Sequence, residues 1–152
     1  MLDLSFAKVD LDKLDKGCWW QLRMEDRQIV GEPVETPDED QPAVLLVPIG
    51  MGYDRALKRE QEPYLDQLRR DDLPDDVRDA LYLKTAGRAA AIKVVRGWQN
   101  LSFDGKQIPW SESAAADLLA SREWQNLLRF CIDAASHRQA ALAKSEAESA
   151  KN

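Results

Sequence analysis

The stretch Ile92–Leu119, IKVVRGWQNLSFDGKQIPWSESAAADLL, decides how the rest of the chain is read. A helical period runs down into Gly97-Trp98 and stops, which places Gly97 as a C-terminal helix cap. Asn100–Phe103 and Lys106–Ile108 then flank Asp104-Gly105, a two-residue hairpin signal, because glycine supplies the positive φ such turns require. Pro109-Trp110-Ser111 launches the next helix, with Ser111 or Ser113 as its N-terminal cap. Trp98 and Trp110 bracket the turn, so the segment reads as a corner shared by the helical patterns on either side.

Upstream of that corner the helical pattern spans about Asp75 to Arg96. Asp71-Asp72-Leu73-Pro74-Asp75-Asp76 is its start signature, with acids where the helix dipole favours them. Its inner face is expected to be Ala80, Leu83, Gly87, Ala90, Ala91, Val94 and Val95, a run small enough in the middle for another helix to approach closely. Before it, Tyr53, Leu57, Tyr64, Leu65 and Leu68 fall near helical spacing, and Pro63 is expected to kink or split that segment. Downstream, Ser121 is read as the cap of a helix whose apolar stripe is Trp124, Leu127, Leu128, Cys131, Ile132 and Ala135.

The first third has a different period. Cys18-Trp19-Trp20-Gln21-Leu22 is aromatic-rich and reads as a strand, with Gln28-Ile29-Val30 returning after a turn at Glu25-Asp26-Arg27. Gly31–Pro42, with prolines at 33, 37 and 42, is an exposed acidic loop. Ala43–Val47 is a short apolar run, most simply a buried strand. The expected class is α+β: a small antiparallel β region over 1–48, a helical domain over 49–137 containing the corner hairpin 98–110, and a flexible or helical tail over 138–152.

Composition narrows the function. The chain has 152 residues, a net charge of −6 and 32% charged residues, which argues against a nucleic-acid footprint, since phosphate binding calls for clustered Lys and Arg. The acidic, apolar-poor N-terminus does not read as a signal peptide, and no run reaches the length of a membrane span. Cys18 and Cys131, far apart in sequence, read as small buried hydrophobes of a reducing compartment. Asp38-Glu39-Asp40 lacks the spaced oxygen ligands and turn glycine of a calcium loop. His137 is the single histidine and has no partner that would make it a general base. No catalytic, metal or cofactor site is therefore expected, and the chain reads as a non-enzymatic binding module.

Five tryptophans are the residues left to account for. Trp98 and Trp124 read as core. Trp19 and Trp20 are adjacent on a strand and so point to opposite faces. Unless that sheet is covered on both sides, one of them is partly exposed and can anchor a partner. Trp110 and, in the tail, Leu142 are further candidate partner contacts; the tail reads either as solubilising material or as a helix that orders against a partner.

The corner motif V-x-x-W-x-N-L-x-x-D-G-K-x-I-P-W-S-E, followed by Leu118-Leu119 and Glu123-Trp124, resembles the tail assembly chaperones of long-tailed bacteriophages. The matching positions are Trp98, Leu101, Asp104, Gly105, Ile108, Pro109, Trp110, Ser111, Leu118 and Leu119, with Asn100 where many members carry glycine. FAKVDLDKLDKGCWW and PAVLLVPIG resemble the front half of some members more loosely. The resemblance implies a phage or prophage assembly factor of the host cytoplasm. Such a factor binds the hydrophobic helices of the tape measure protein, keeps them soluble, and gives way to tail tube subunits. Binding along such helices would bring copies together as a homo-oligomer. The alternative is a structural virion component of the tail or head-tail connector, present in mature particles at fixed copy number. An acidic decoy for a nucleic-acid-binding enzyme fits less well, because the acids alternate too evenly with Lys and Arg.

Overall fold

A computed structural model describes residues 1–4 and 8–136. It is an α+β fold. β1 (Cys18–Glu25), β2 (Gln28–Val34), β3 (Ala43–Leu46) and β4 (Val95–Gln99) form one antiparallel sheet in the order β2-β1-β3-β4. The β1–β2 hairpin closes through Asp26 and Arg27, both left-handed at φ 50° and 64°. Two consecutive positive φ values match the turn's twist to that of the strands. Alternation along β1 sends Cys18, Trp20 and Leu22 to one face and Trp19 and Gln21 to the other.

The helices lie on the Trp20 side. After a short α1 (Leu11–Lys16) ahead of the sheet, α2 (Met51–Gln61) leads through a 3-10 turn at Glu62–Tyr64 into α3 (Leu65–Leu68). The break falls at Pro63, where proline ends the α-helical hydrogen-bond ladder. α4 (Asp75–Lys93) is the central helix, and α5 (Glu112–Ala120) and α6 (Gln125–Ser136) pack with it against the sheet. Val44, Leu46, Val94, Val95 and Leu119 are each at most 2% exposed; burying a side chain of this size contributes about 1.5–3 kcal/mol. On α6 the buried residues Leu127, Leu128, Cys131 and Ala135 follow the expected stripe, widened by Ala134.

Two sequence expectations are corrected. The helix read to Arg96 ends at Lys93, and Gly97 is not its cap: Val94 takes that place, donating its N–H to Ala90, and the chain turns directly into β4. The β-branched pair Val94-Val95 is stiff in a helix but suits a strand, and β3 supplies the pairing, with Trp98 opposite Val44 and Gly97 opposite Leu45. The register shifts between Leu45 and Leu46, leaving Arg96 as the unpaired, exposed residue. The sheet is therefore closed by residues from the middle of the sequence. Ser121 does not cap a helix with its hydroxyl; its backbone carbonyl instead accepts the Trp124 N–H and opens the 3-10 turn Arg122–Trp124 ahead of α6.

After β4 comes the small hairpin of β5 (Ser102–Phe103) and β6 (Lys106–Gln107), closed by Asp104 at φ 51° and Gly105 at φ 74°. Ser111 caps α5, its Oγ accepting the Ala114 N–H at 2.9 Å.

Candidate functional site

Trp98 and Trp110 meet edge to face, with ring centroids 5.0 Å apart at 82°. The Trp98 indole Nε1–H donates to the Ile108 carbonyl at 2.7 Å, which ties β4 to the chain leaving the hairpin. Phe103, beside the hairpin turn, stands edge-on to Trp124, with ring centroids 5.2 Å apart. Trp98 is buried, whereas Trp110 and Trp124 are half-buried. Pro109 is exposed. Aromatic pairs in this geometry add about 0.5–1.5 kcal/mol beyond area burial, so the corner residues are held as a rigid unit.

The adjacent pair Trp19-Trp20 divides between the faces of the sheet. Trp20 is 9% exposed and faces Phe130 of α6, with ring centroids 6.1 Å apart. Its Nε1–H meets no acceptor among the described residues. Trp20 thus belongs to the core, and Trp19 is the member of the pair a partner can reach. Leu142 and His137 lie outside the described residues.

Trp19 is the centre of a row that crosses all four strands. The strand register aligns Val34 on β2, Trp19 on β1, Leu45 on β3 and Gly97 on β4. The Trp19 ring spans Leu45, and its Cη2 comes within 3.9 Å of where a Cβ on Gly97 would sit. Val34, Trp19 and Leu45 are half-buried, and none of them belongs to the core cluster on the other face. The result is an apolar strip on rigid strands with an aromatic at its middle, the composition expected of an interface anchor.

The next row of the same face is closed. Gln21, Ala43 and Gln99 align across β1, β3 and β4, and the acidic loop after β2 folds back over them. Gln21 Oε1 accepts the Asp38 N–H at 3.3 Å. Gln99 Nε2 donates to the Asp38 and Gln41 carbonyls at 2.7 and 2.9 Å. Asn100 Nδ2 donates to the Glu39 and Gln41 carbonyls at 2.6 and 3.0 Å. Ala43 is fully buried beneath. Asn100 holds φ 55°, a left-handed conformation asparagine tolerates better than most residues. Its amide supplies two loop bonds that glycine could not. The strip is thus bounded on one side by a pinned loop. Past it, Arg23 pairs with Glu25 and Glu32 and makes that end of the face ionic.

Of these residues the sequence nominated Trp19. It gave no signal for Val34, Leu45 or Gly97, because a short apolar run does not say which face each residue takes. The amide triad Gln21, Gln99 and Asn100 reads as ordinary polar surface until the register is known.

Neither cysteine presents a nucleophile. Burial pushes the Cys131 thiol up to about 12. Burial also raises Cys18, against a smaller opposing pull from the Lys13 charge. Among the described residues no three His, Cys, Asp or Glu side chains stand close enough to hold a metal ion. No helix among them is long and apolar enough to cross a membrane.

Fold and site together define a small α+β domain with one sheet face packed by helices and a half-buried apolar row on the other. The model of the YdaY prophage protein family matches residues 50–152, more than half of the chain, and the chain belongs to that family. The matched region contains α2–α6, β4 and the tryptophan corner, while α1 and β1–β3 precede it. Comparison with curated proteins and with solved structures gives no match.

Proposed function

We propose that this prophage protein is a non-enzymatic tail assembly chaperone that binds apolar faces of the tape measure protein's helices and keeps them soluble until tail tube subunits replace it. One observation supports this reading: the Val34–Trp19–Leu45–Gly97 row is apolar and set on paired strands, with Val34, Trp19 and Leu45 only half-buried and outside the core cluster. An amphipathic helix laid along such a strip would bury its apolar stripe against Trp19 and Leu45. The corner motif that resembles tail assembly chaperones lies wholly inside the region matched by the prophage family. The test is co-expression with the tape measure protein encoded nearby, followed by pull-down. The expected result is a soluble tape measure protein that co-purifies with this chain. A tape measure protein that stays insoluble, with this chain found in purified virions at fixed copy number, would instead assign it as a structural component of the tail or connector.

A further inference from the structure

A second surface, on the helical side of the fold, carries an inference that does not depend on the reading above. Between α2 and α4 lies a shallow cavity of about 260 Å³ lined by Gly52, Arg55, Ala56, Arg59, Glu60, Ile92 and Lys93. Arg55 and Arg59 stand one helical turn apart on α2, a like-charge spacing that disfavours the helix slightly. Lys93 adds a third cation and lays its stem over Gly52. Glu60 is engaged by Arg88 at 4.0 Å. The other ion pairs among the described residues are Lys16–Asp12, Arg23–Glu25 and Arg23–Glu32. Among the described residues Arg55, Arg59 and Lys93 have no ion-pair partner, so the groove they share with Glu60 is net cationic, on a chain of net charge −6.

The complementary surface is the pinned loop on the far side of the sheet. Glu35, Asp38, Glu39 and Asp40 are all exposed, and no Lys or Arg occurs between Arg27 and Arg55. The loop's carbonyls are turned inward onto the Gln99 and Asn100 amides. Its backbone is therefore already ordered, which lowers the cost of binding. Loop and groove sit on opposite layers, so a chain cannot fill its own groove.

We infer that the acidic loop of one copy seats in the Arg55–Arg59–Lys93 groove of the next, giving head-to-tail self-association. Guanidinium groups bind carboxylates through paired, charge-assisted hydrogen bonds. Because the two surfaces differ, the contact is heterologous and propagates into a ring or open array. Net repulsion between acidic copies is screened beyond about 8 Å at physiological salt, leaving the local complementarity to decide.

The test is sedimentation velocity of the full chain at about 0.15 M (low) and about 1 M (high) salt, between which the Debye length falls from about 8 Å to about 3 Å. The unsubstituted protein is expected to form concentration-dependent larger species at low salt and to be monomeric at high salt. The groove variant Arg55→Glu/Arg59→Glu and the loop variant Glu39→Lys/Asp40→Lys are each expected to be monomeric at low salt, with circular dichroism showing that they fold. An equimolar mixture of the two variants is expected to associate again, since each then offers the charge the other lacks. Monomeric wild-type protein at low salt, variants that associate as wild type does, or folded variants whose mixture stays monomeric would each overturn the inference. So would a monomeric wild-type protein that retards a single-stranded oligonucleotide through Arg55 and Arg59, which would assign the groove to nucleic acid.

Discussion

Gly87 of α4 lies directly against the backbone of Leu119 in α5: a Cβ at position 87 would run into the Leu119 carbonyl, with the Ala120 nitrogen 2.7 Å away. The two helices approach backbone to backbone here, and this contact seats α5 on the central helix. An alanine in a helix interior normally stabilises by about 0.5–1 kcal/mol over glycine. Here Gly87→Ala is expected to destabilise by about 1–3 kcal/mol or more, because backbone must move to admit the methyl. Urea titration checks this. A neutral or more stable variant would show that α5 does not rest on α4 at this point.

The Trp98 indole joins the corner to the sheet through two separable contributions, ring burial and the Nε1–Ile108 hydrogen bond. Trp98→Ala is expected to cost about 3–5 kcal/mol, in the range for emptying a large aromatic site. Trp98→Phe keeps most of the packing and should lose about 1–3 kcal/mol, chiefly by leaving the Ile108 carbonyl without its donor. Denaturant midpoints of the two variants separate the terms. If Trp98→Ala melts with the unsubstituted protein, the corner is not part of the core.

Cys131 gives a prediction in pH. Burial holds its thiol neutral up to about 12, whereas in the unfolded chain it ionises at an ordinary cysteine pKa near 8.5. The folded-state value is the raised one, so the contribution to stability is present below the unfolded pKa and is lost as pH rises towards 12. Cys131→Ala should therefore lose less stability than the unsubstituted protein between about pH 9 and pH 12, as read by melting temperature against pH. Thiol reagents at neutral pH should reach Cys131 at the rate of unfolding, because the thiolate is the reactive form. Rapid labelling of the folded protein would contradict this.

How far the sequence revealed this fold depended on how local each signal was. The Asp104-Gly105 turn, the Ser111 cap and the break at Pro63 are set by residues within a few positions, and each forms where the local chemistry places it. The end of α4 was misread because Val94, Val95 and Trp98 continue a plausible helical face. Their strand partners Val44 and Leu46 lie about fifty positions earlier, beyond the reach of any local pattern. The site was legible in proportion. Adjacent tryptophans on one strand had to face opposite ways, which nominated one of Trp19 and Trp20 without saying which. The row that makes Trp19 part of a surface depends on strand order, and so does the loop that bounds it.

The central claim is that Trp19 anchors an amphipathic helix on the open part of the sheet. Its most direct test is the affinity of a labelled apolar helical segment of the tape measure protein for the full chain and for Trp19→Ser, measured by fluorescence anisotropy beside a thermal melt of each. Trp19 is half-buried and outside the core cluster, so the melting temperature should change little. Removing an interface anchor worth about 2 kcal/mol should weaken binding roughly thirtyfold. A Trp19→Ser protein that stays folded and binds the segment as tightly as the unsubstituted chain would contradict the account.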